Sequence, residues 1–209
     1  MDQNPYPSPP NDIMRPFASL PEYVQPVALK QCYRLMNHGP TVLVSARHGG
    51  VDNVMAAAWA CVLDFGDAPK VTVVLDKATR TRALVEASGR FALQLPCVAQ
   101  AHLTVGVGSD SAHDVPDKLT KHGVALFTAP GHDLPLVQGC VGWLVCRLLP
   151  EPHNQQTYDL FIGQVEAAWA DERVFRQGRW HFDEAPNELR TIHHVAGGQF
   201  IVAGTTVQG

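Results

Sequence analysis

Two stretches of this sequence carry residue types suited to ligand chemistry. The first is Asn53-Val54-Met55-Ala56-Ala57-Ala58-Trp59. Three consecutive alanines are unusual in a strand, where bulky branched side chains are the rule. Small side chains let a flat ligand lie against the backbone and bond to its amides; a tight strand-on-strand packing point accounts for them equally well. The second is Asp76-Lys77-Ala78-Thr79-Arg80-Thr81-Arg82, between a strand end and a helix start. Its threonines can cap the helix, and the exposed N–H groups and dipole of a helix start attract an anion. Lys77, Arg80 and Arg82 add charge-assisted donors suited to a phosphate. An ordinary capped surface helix is the competing reading.

Gly106-Val107-Gly108-Ser109-Asp110-Ser111, followed by Asp114 and Asp117-Lys118, reads as a flexible polar loop spanning residues 106–115. Its G-x-G start lacks the third glycine and the βαβ setting of a dinucleotide fingerprint. His193 and His194 are adjacent, so in a strand they point to opposite faces; a neutral, hydrogen-bonded pair is the simplest expectation. The ten histidines form no metal-ligand motif, and no G-x-S-x-G elbow is present. Cys97 follows Pro96 with no evident activating base beside it. These readings nominate no catalytic side chain and no metal.

The elements that must position these residues are mostly strands. Expected strands cover residues 41–45, 54–62, 70–75, 91–95, 124–127, 139–149 and 158–169. A helix runs from Thr79 to about Ser88 and is stopped by Gly89. Short helices are expected over residues 98–105 and 116–122. A final stretch, residues 191–202, holds Gly197-Gly198. Many strands, few helices and short turns describe a closed or nearly closed antiparallel β-barrel. Residues 1–25 hold seven prolines with Pro26 and read as an extended N-terminal arm; residues 26–209 form the domain.

The 209 residues, 45% hydrophobic, suffice for one core. A net charge of −4 argues against a general nucleic-acid binder. The five cysteines show no CxxC pair, and Cys61, Cys140 and Cys146 sit in apolar runs as expected buried hydrophobes. No apolar run approaches the ~20 residues of a membrane span. The N-terminus lacks a secretory pattern. The expectation is a soluble cytoplasmic protein without membrane or nucleic-acid partners.

Taken in order, the segments resemble the flavin reductase-like, FMN-binding split-barrel family, closest to its flavoredoxin-like branch, from about Pro26 to Gly204. The likeness rests on the strand Pro40–Arg47, Asp52-Asn53-Val54-Met55-Ala56-Ala57-Ala58-Trp59 and Asp76-Lys77-Ala78-Thr79-Arg80-Thr81. It continues through Gly108-Ser109-Asp110-Ser111 with Asp117-Lys118, Asp159-Leu160-Phe161-Ile162-Gly163, and Gly178-Arg179-Trp180. The resemblance implies a split, Greek-key-like antiparallel barrel that binds FMN. It assigns Asn53, Val54, Met55, Ala56, Ala57, Ala58 and Trp59 to the isoalloxazine and ribityl chain. Lys77, Thr79, Thr81 and Arg82 fall to the phosphate, and Ser109, Ser111 and Lys118 to a loop closing over the site. Where the family loop often reads Ser-Gly and then a basic residue, this chain has Ser111-Ala112-His113. The family's chemistry implies hydride transfer from NADH or NADPH to flavin N5, in a homodimer that passes electrons to an oxygenase or another electron-transfer partner. The alternative is an FMN-binding electron carrier with no nicotinamide activity of its own. A ligand-free barrel leaves the alanine run and the basic helix start unexplained.

Overall fold

The structure, a computed structural model, describes residues 20–209. Residues 1–19 of the expected arm lie outside the described residues. The arm's last part enters β1 (Val24–Pro26), which pairs with the end of a long strand described below. An edge is the sheet position that proline tolerates. The short helix α1 (Leu29–Cys32) follows.

The chain then builds a hairpin from β2 (Val42–His48) and β3 (Val51–Ala57). Its two-residue turn is Gly49-Gly50, with φ of 57° and 76°. Positive φ at both central residues gives the turn whose twist matches the strands, and glycine adopts it without strain. Past Ala58-Trp59 the chain forms β4 (Ala60–Val62), which pairs with β5 (Lys70–Val74). Helix α2 (Arg80–Ser88) begins at Thr79, whose Oγ1 accepts the Arg82 N–H at 3.4 Å. It ends on Gly89 at φ 67°, as the local signals dictate. Next come β6 (Arg90–Leu95), α3 (Ala101–Ser109), α4 (Lys118–Lys121), β7 (Leu126–Phe127), β8 (Leu136–Val137) and β9 (Gly142–Leu149). Helix α5 (Pro152–Tyr158) leads into the twelve-residue β10 (Leu160–Asp171). Two short hairpins complete the chain, β11 (Phe175–Arg176) with β12 (Arg179–Trp180), and β13 (Ile192–Ala196) with β14 (Gln199–Val202).

The main sheet is antiparallel throughout, in the order β3-β2-β6-β9-β10-β5-β4, with β1 beside β10. Its first and last strands, β3 and β4, are separated in sequence only by Ala58-Trp59. One short corner therefore joins the two edges of the sheet, which must curl for them to meet. The strand expected over residues 54–62 is thus two strands serving opposite edges. In β10 a bulge between Val165 and Ala167 lets Leu160–Gln164 pair with β5 and Trp169–Asp171 pair with β1.

Core packing holds this curl. Phe91, Leu93, Cys146 and Phe161 are fully buried inside the sheet, and Trp143, Leu126 and Leu136 lie in a second cluster. Polar side chains brace this core at two points. Gln94 Nε2 donates to Ser45 Oγ at 2.8 Å, and Trp143 Nε1 donates to the Val137 carbonyl at 3.0 Å. Among the described residues no helix is long and apolar enough to cross a membrane.

Two expectations need correction. Residues 106–109 are not loop but the last turn of α3. Their glycines serve close approach: a Cβ on Gly106 would lie 2.2 Å from the His122 ring, and one on Gly108 would lie 3.1 Å from Ala56 Cβ. Cys61 is exposed rather than buried, because β4 is an edge strand and turns this side chain outward; Cys32, Cys97, Cys140 and Cys146 are the buried thiols.

Candidate functional site

Because β3 pairs only with β2, its other row of backbone donors and acceptors is unclaimed by the sheet. The alternation of the strand gives it two distinct faces. On one face Asn53 Nδ2 donates to Thr81 Oγ1 at 2.9 Å, fixing the strand to the start of α2. Asn53 is 2% exposed, and its Oδ1 has no hydrogen-bond partner among the described residues. On the other face Ala56 meets Gly108 of α3.

Beside this second contact lies a cavity of about 220 Å³. Its floor is Ala56, Ala57 and Ala58, and one wall is the face of α3 carrying Thr104, Val105, Gly108 and Ser109. The opposite wall comes from the β13–β14 hairpin, through His194, Gly198 and Phe200, with Thr41 between hairpin and floor. The turn of that hairpin, Gly197-Gly198, has φ of 56° and 76°, the same turn geometry as Gly49-Gly50. The histidine pair divides as strand alternation requires. His193 is exposed with Nδ1 against the Gly39 carbonyl, and His194 is in the cavity wall. Among the lining side chains His194 is the one ionisable group.

The residues expected from sequence are placed as follows. Ala56, Ala57, Ala58 and Ser109 line the cavity. Val54 is fully buried and Met55 packs on the core, so both offer a ligand backbone rather than side chain. Trp59 is 75% exposed at the corner, its carbonyl accepting the Val74 N–H at 3.0 Å. Thr79 caps α2, and Thr81 is fully buried against Asn53. Lys77 is exposed, with Nζ donating to the Gln156 carbonyl at 2.7 Å.

Arg82 is committed to the fold. Its guanidinium donates to the Leu75 carbonyl at 3.1 Å, the Gln155 carbonyl at 2.7 Å, Asp159 at 2.5 Å and Glu86 at 3.0 Å. It also lies 5.1 Å from the Phe161 ring. These bonds tie the start of α2 to the carbonyls that end α5. Lys118 is equally engaged. It is 2% exposed, and Nζ donates to the carbonyls of Val107 at 3.1 Å and Asp110 at 2.9 Å, closing the C-terminal end of α3. Burial pulls this lysine down from 10.5 to about 8. Ser111 Oγ accepts the His113 N–H at 3.2 Å in the following turn. None of these three side chains lines the cavity.

Within β3, Ala56 therefore lies on the face opposite Asn53 and Ala57 on the same face, and the alanine floor and the helix start are joined along the strand's free edge. Asn53 and Ala57 are four residues apart, about 13 Å along a strand. Sequence reading missed Thr41, Thr104, Val105, His194, Gly198 and Phe200. The hint available was the glycine pair at 197–198, which marks a tight hairpin. Among the described residues no group of three or more His, Cys, Asp or Glu side chains is placed to hold a metal ion.

Comparison with known proteins gives the family. The family model described as flavin reductase like domain matches residues 33–189. The chain is 42% identical over 185 residues to the uncharacterized protein YddH of Escherichia coli K12, covering 87% of this chain and 96% of that one. It is similar to the crystal structure of an FMN-binding domain of a flavin reductases-like enzyme from Shewanella baltica OS155. There the identity is 57% and the TM-score 0.88, over 89% of this chain and 97% of the other. The flavoredoxin of Desulfovibrio vulgaris (Miyazaki F), 23% identical with a TM-score of 0.67 over 82% and 90% of the two chains, shares the fold. The curled sheet is thus a split barrel, and the chain belongs to the flavin reductase-like domain family.

Proposed function

We propose that this protein is an FMN-binding flavin reductase, taking hydride from NADH or NADPH, and that it works as a homodimer. The observation that carries the reading is the free edge of β3. It runs from the α2 start at Asn53 and Thr81 to the alanine floor between α3 and the hairpin. A flat ring fits an alanine floor because no Cβ branch lifts it from the backbone. The fit extends to the tail: Asn53 Oδ1, buried and unpartnered among the described residues, is ready to accept from a ribityl hydroxyl. The α2 start with Lys77 and Thr79 is the anion-favouring end of the same path. Bound along this edge, FMN supplies two-electron chemistry at N5, which the side chains here do not possess. The chain's own contribution is placement and polarity. Backbone N–H groups of the floor favour added negative charge on a ring that meets them. Ser109 offers a hydroxyl to the cavity, whereas that of Thr104 is spent on the Gln100 carbonyl at 2.9 Å, and the apolar side chains of Val105 and Phe200 exclude water.

The dimer reading rests on exposed apolar surface. Trp59, Leu63 and Phe65 are 75, 51 and 79% exposed around the corner and free edge of β4, a patch of the kind that marks an interface. A cavity of about 220 Å³ also falls short of the ~300–1,000 Å³ usual for small-molecule sites, so a partner subunit would complete its walls. Sedimentation velocity of the wild type and a Trp59→Asp/Phe65→Asp variant tests this, with a dimer and a monomer expected.

The same small volume favours one second reading. A single chain holds one planar ring there, and an FMN-binding electron carrier needs no room for a nicotinamide. The deciding experiment is an FMN titration followed by anaerobic NADH and NADPH. Flavin absorbance that appears and then bleaches with nucleotide supports the reductase. Bound flavin that bleaches only with dithionite selects the carrier. Protein that takes up no FMN ends both readings.

A further inference from the structure

The β13–β14 hairpin lies beyond residues 33–189, the span of the family domain, yet it supplies a wall of the cavity. It is a separate two-stranded sheet, so its placement depends on a few specific bonds at its root. Thr41, 2% exposed, makes two of them. Its N–H donates to the Ile192 carbonyl at 2.9 Å, and its Oγ1 accepts the His194 N–H at 2.7 Å. Thr191 adds more: Oγ1 lies 2.7 Å from His38 Nε2, and its carbonyl accepts the Ala203 N–H at 3.0 Å. The His38 ring meets those of Trp180 and Phe182 edge-on at 5.3 and 5.8 Å, which holds it in place. Above this anchor His194 and Phe200 pair across the hairpin, ring centroids 5.4 Å apart at 65°. They present one face of the pair to the cavity, while Val195 and Ile201 remain more than half exposed on the hairpin.

The geometry points to the hairpin as an added wall of the flavin site, in which His194 is the ionisable group facing the flavin ring and Thr41 is the residue that positions it. The inference rests on the flavin reading of the cavity. The alanine floor meets the ring through main chain alone, so this wall is where the site can discriminate. An imidazole N–H donated to the polar edge of the ring favours negative charge there, and Phe200 supplies an apolar face. Thr41 acts through His194: without its hydroxyl the His194 N–H loses its acceptor and the wall loosens.

The test uses full-length protein and two readouts, FMN affinity by fluorescence quenching and the midpoint potential of the bound flavin by dithionite titration. Neither requires nucleotide-driven turnover. His194→Phe and Thr41→Val should each weaken FMN binding about two- to tenfold, the scale of one hydrogen bond, and His194→Phe should move the midpoint to lower values. His194→Gln, which keeps a donor, should recover much of the loss, and Thr41→Ser should restore binding because the hydroxyl returns. Thermal melting identifies any variant that has simply unfolded, and Phe200→Leu, which keeps apolar volume, then serves as the second probe with a similar weakening. Wild-type affinity and potential in all the folded variants would overturn the inference while leaving the flavin site intact. Failure of the wild type itself to bind FMN would overturn the site reading and this inference together.

Discussion

Substituting Arg82 by methionine separates a structural arginine from a ligand-binding one. The wild-type guanidinium bonds to the carbonyls of Leu75 and Gln155 and to the carboxylates of Asp159 and Glu86, with its side chain 5% exposed. Methionine keeps an unbranched apolar stem beside Phe161 and strands the partners. Breaking a buried pair by removing one member costs about 3–5 kcal/mol. Asp159 is 26% exposed, so water recovers part of the loss and the lower end applies. For a chain of this size each kcal/mol lowers Tm by roughly 2–4 °C, so about 3 kcal/mol corresponds to roughly 6–12 °C. Domains are stable by only about 5–15 kcal/mol, which makes this a large fraction. The assay is thermal unfolding by circular dichroism at neutral pH, followed by FMN titration of the folded variant well below its midpoint. A large fall in Tm with FMN affinity within about threefold of wild type is the expected result. A Tm within 2 °C of wild type together with a tenfold loss of affinity would refute the reasoning and return Arg82 to the phosphate.

Three further substitutions probe the packing and electrostatics. Gly163→Ala places a Cβ 2.4 Å from Phe91 Cζ, in a core with no slack, and should cost about 1–3 kcal/mol, read by urea denaturation. Gly108→Leu pushes a side chain into the cavity from α3; FMN affinity should fall at least tenfold while the melting temperature changes by a few degrees, both measured on one preparation. Lys118 gives a pH signature. Its folded value of about 8 lies below the ordinary 10.5, so between those values the unfolded chain holds more protons and this group's contribution to stability rises with pH. Two and a half units at 1.36 kcal/mol each set an upper bound of about 3 kcal/mol. The buried thiols titrate in the opposite sense, since burial pushes Cys32 up to about 12 and raises Cys97. The signature therefore appears as the difference between wild type and Lys118→Met, which should widen in favour of wild type from pH 8 to 10.5 in denaturant melts. A difference independent of pH would contradict it.

What could be read directly from the sequence was whatever local chemistry decides. The glycine pair at 49–50 makes the first hairpin, and Thr79 with Gly89 bounds α2 to within a residue. The alanine run marked the cavity floor for the same reason, as its oddity is visible without any neighbours. The rest depends on partners distant in the chain. Gly106 and Gly108 resemble loop glycines until His122 and Ala56 occupy the space their side chains would need. Arg82 and Lys118 resemble ligand cations until the carbonyls of α5 and α3 take their donors. Cys61 has the surroundings of a core residue but stands on an edge strand. Thr41 and His194 are 153 positions apart, joined by one hydrogen bond that no periodicity foretells.

The central claim is that flavin lies along the free edge of β3, its ring on the alanine floor. A crystal structure of the protein grown with FMN tests it most directly. Flavin density over Ala56–Ala58, with Gly108 on one side, His194 on the other and the tail running toward Thr81, is the expected result. Flavin bound elsewhere on the barrel, with this cavity filled only by solvent, would contradict it.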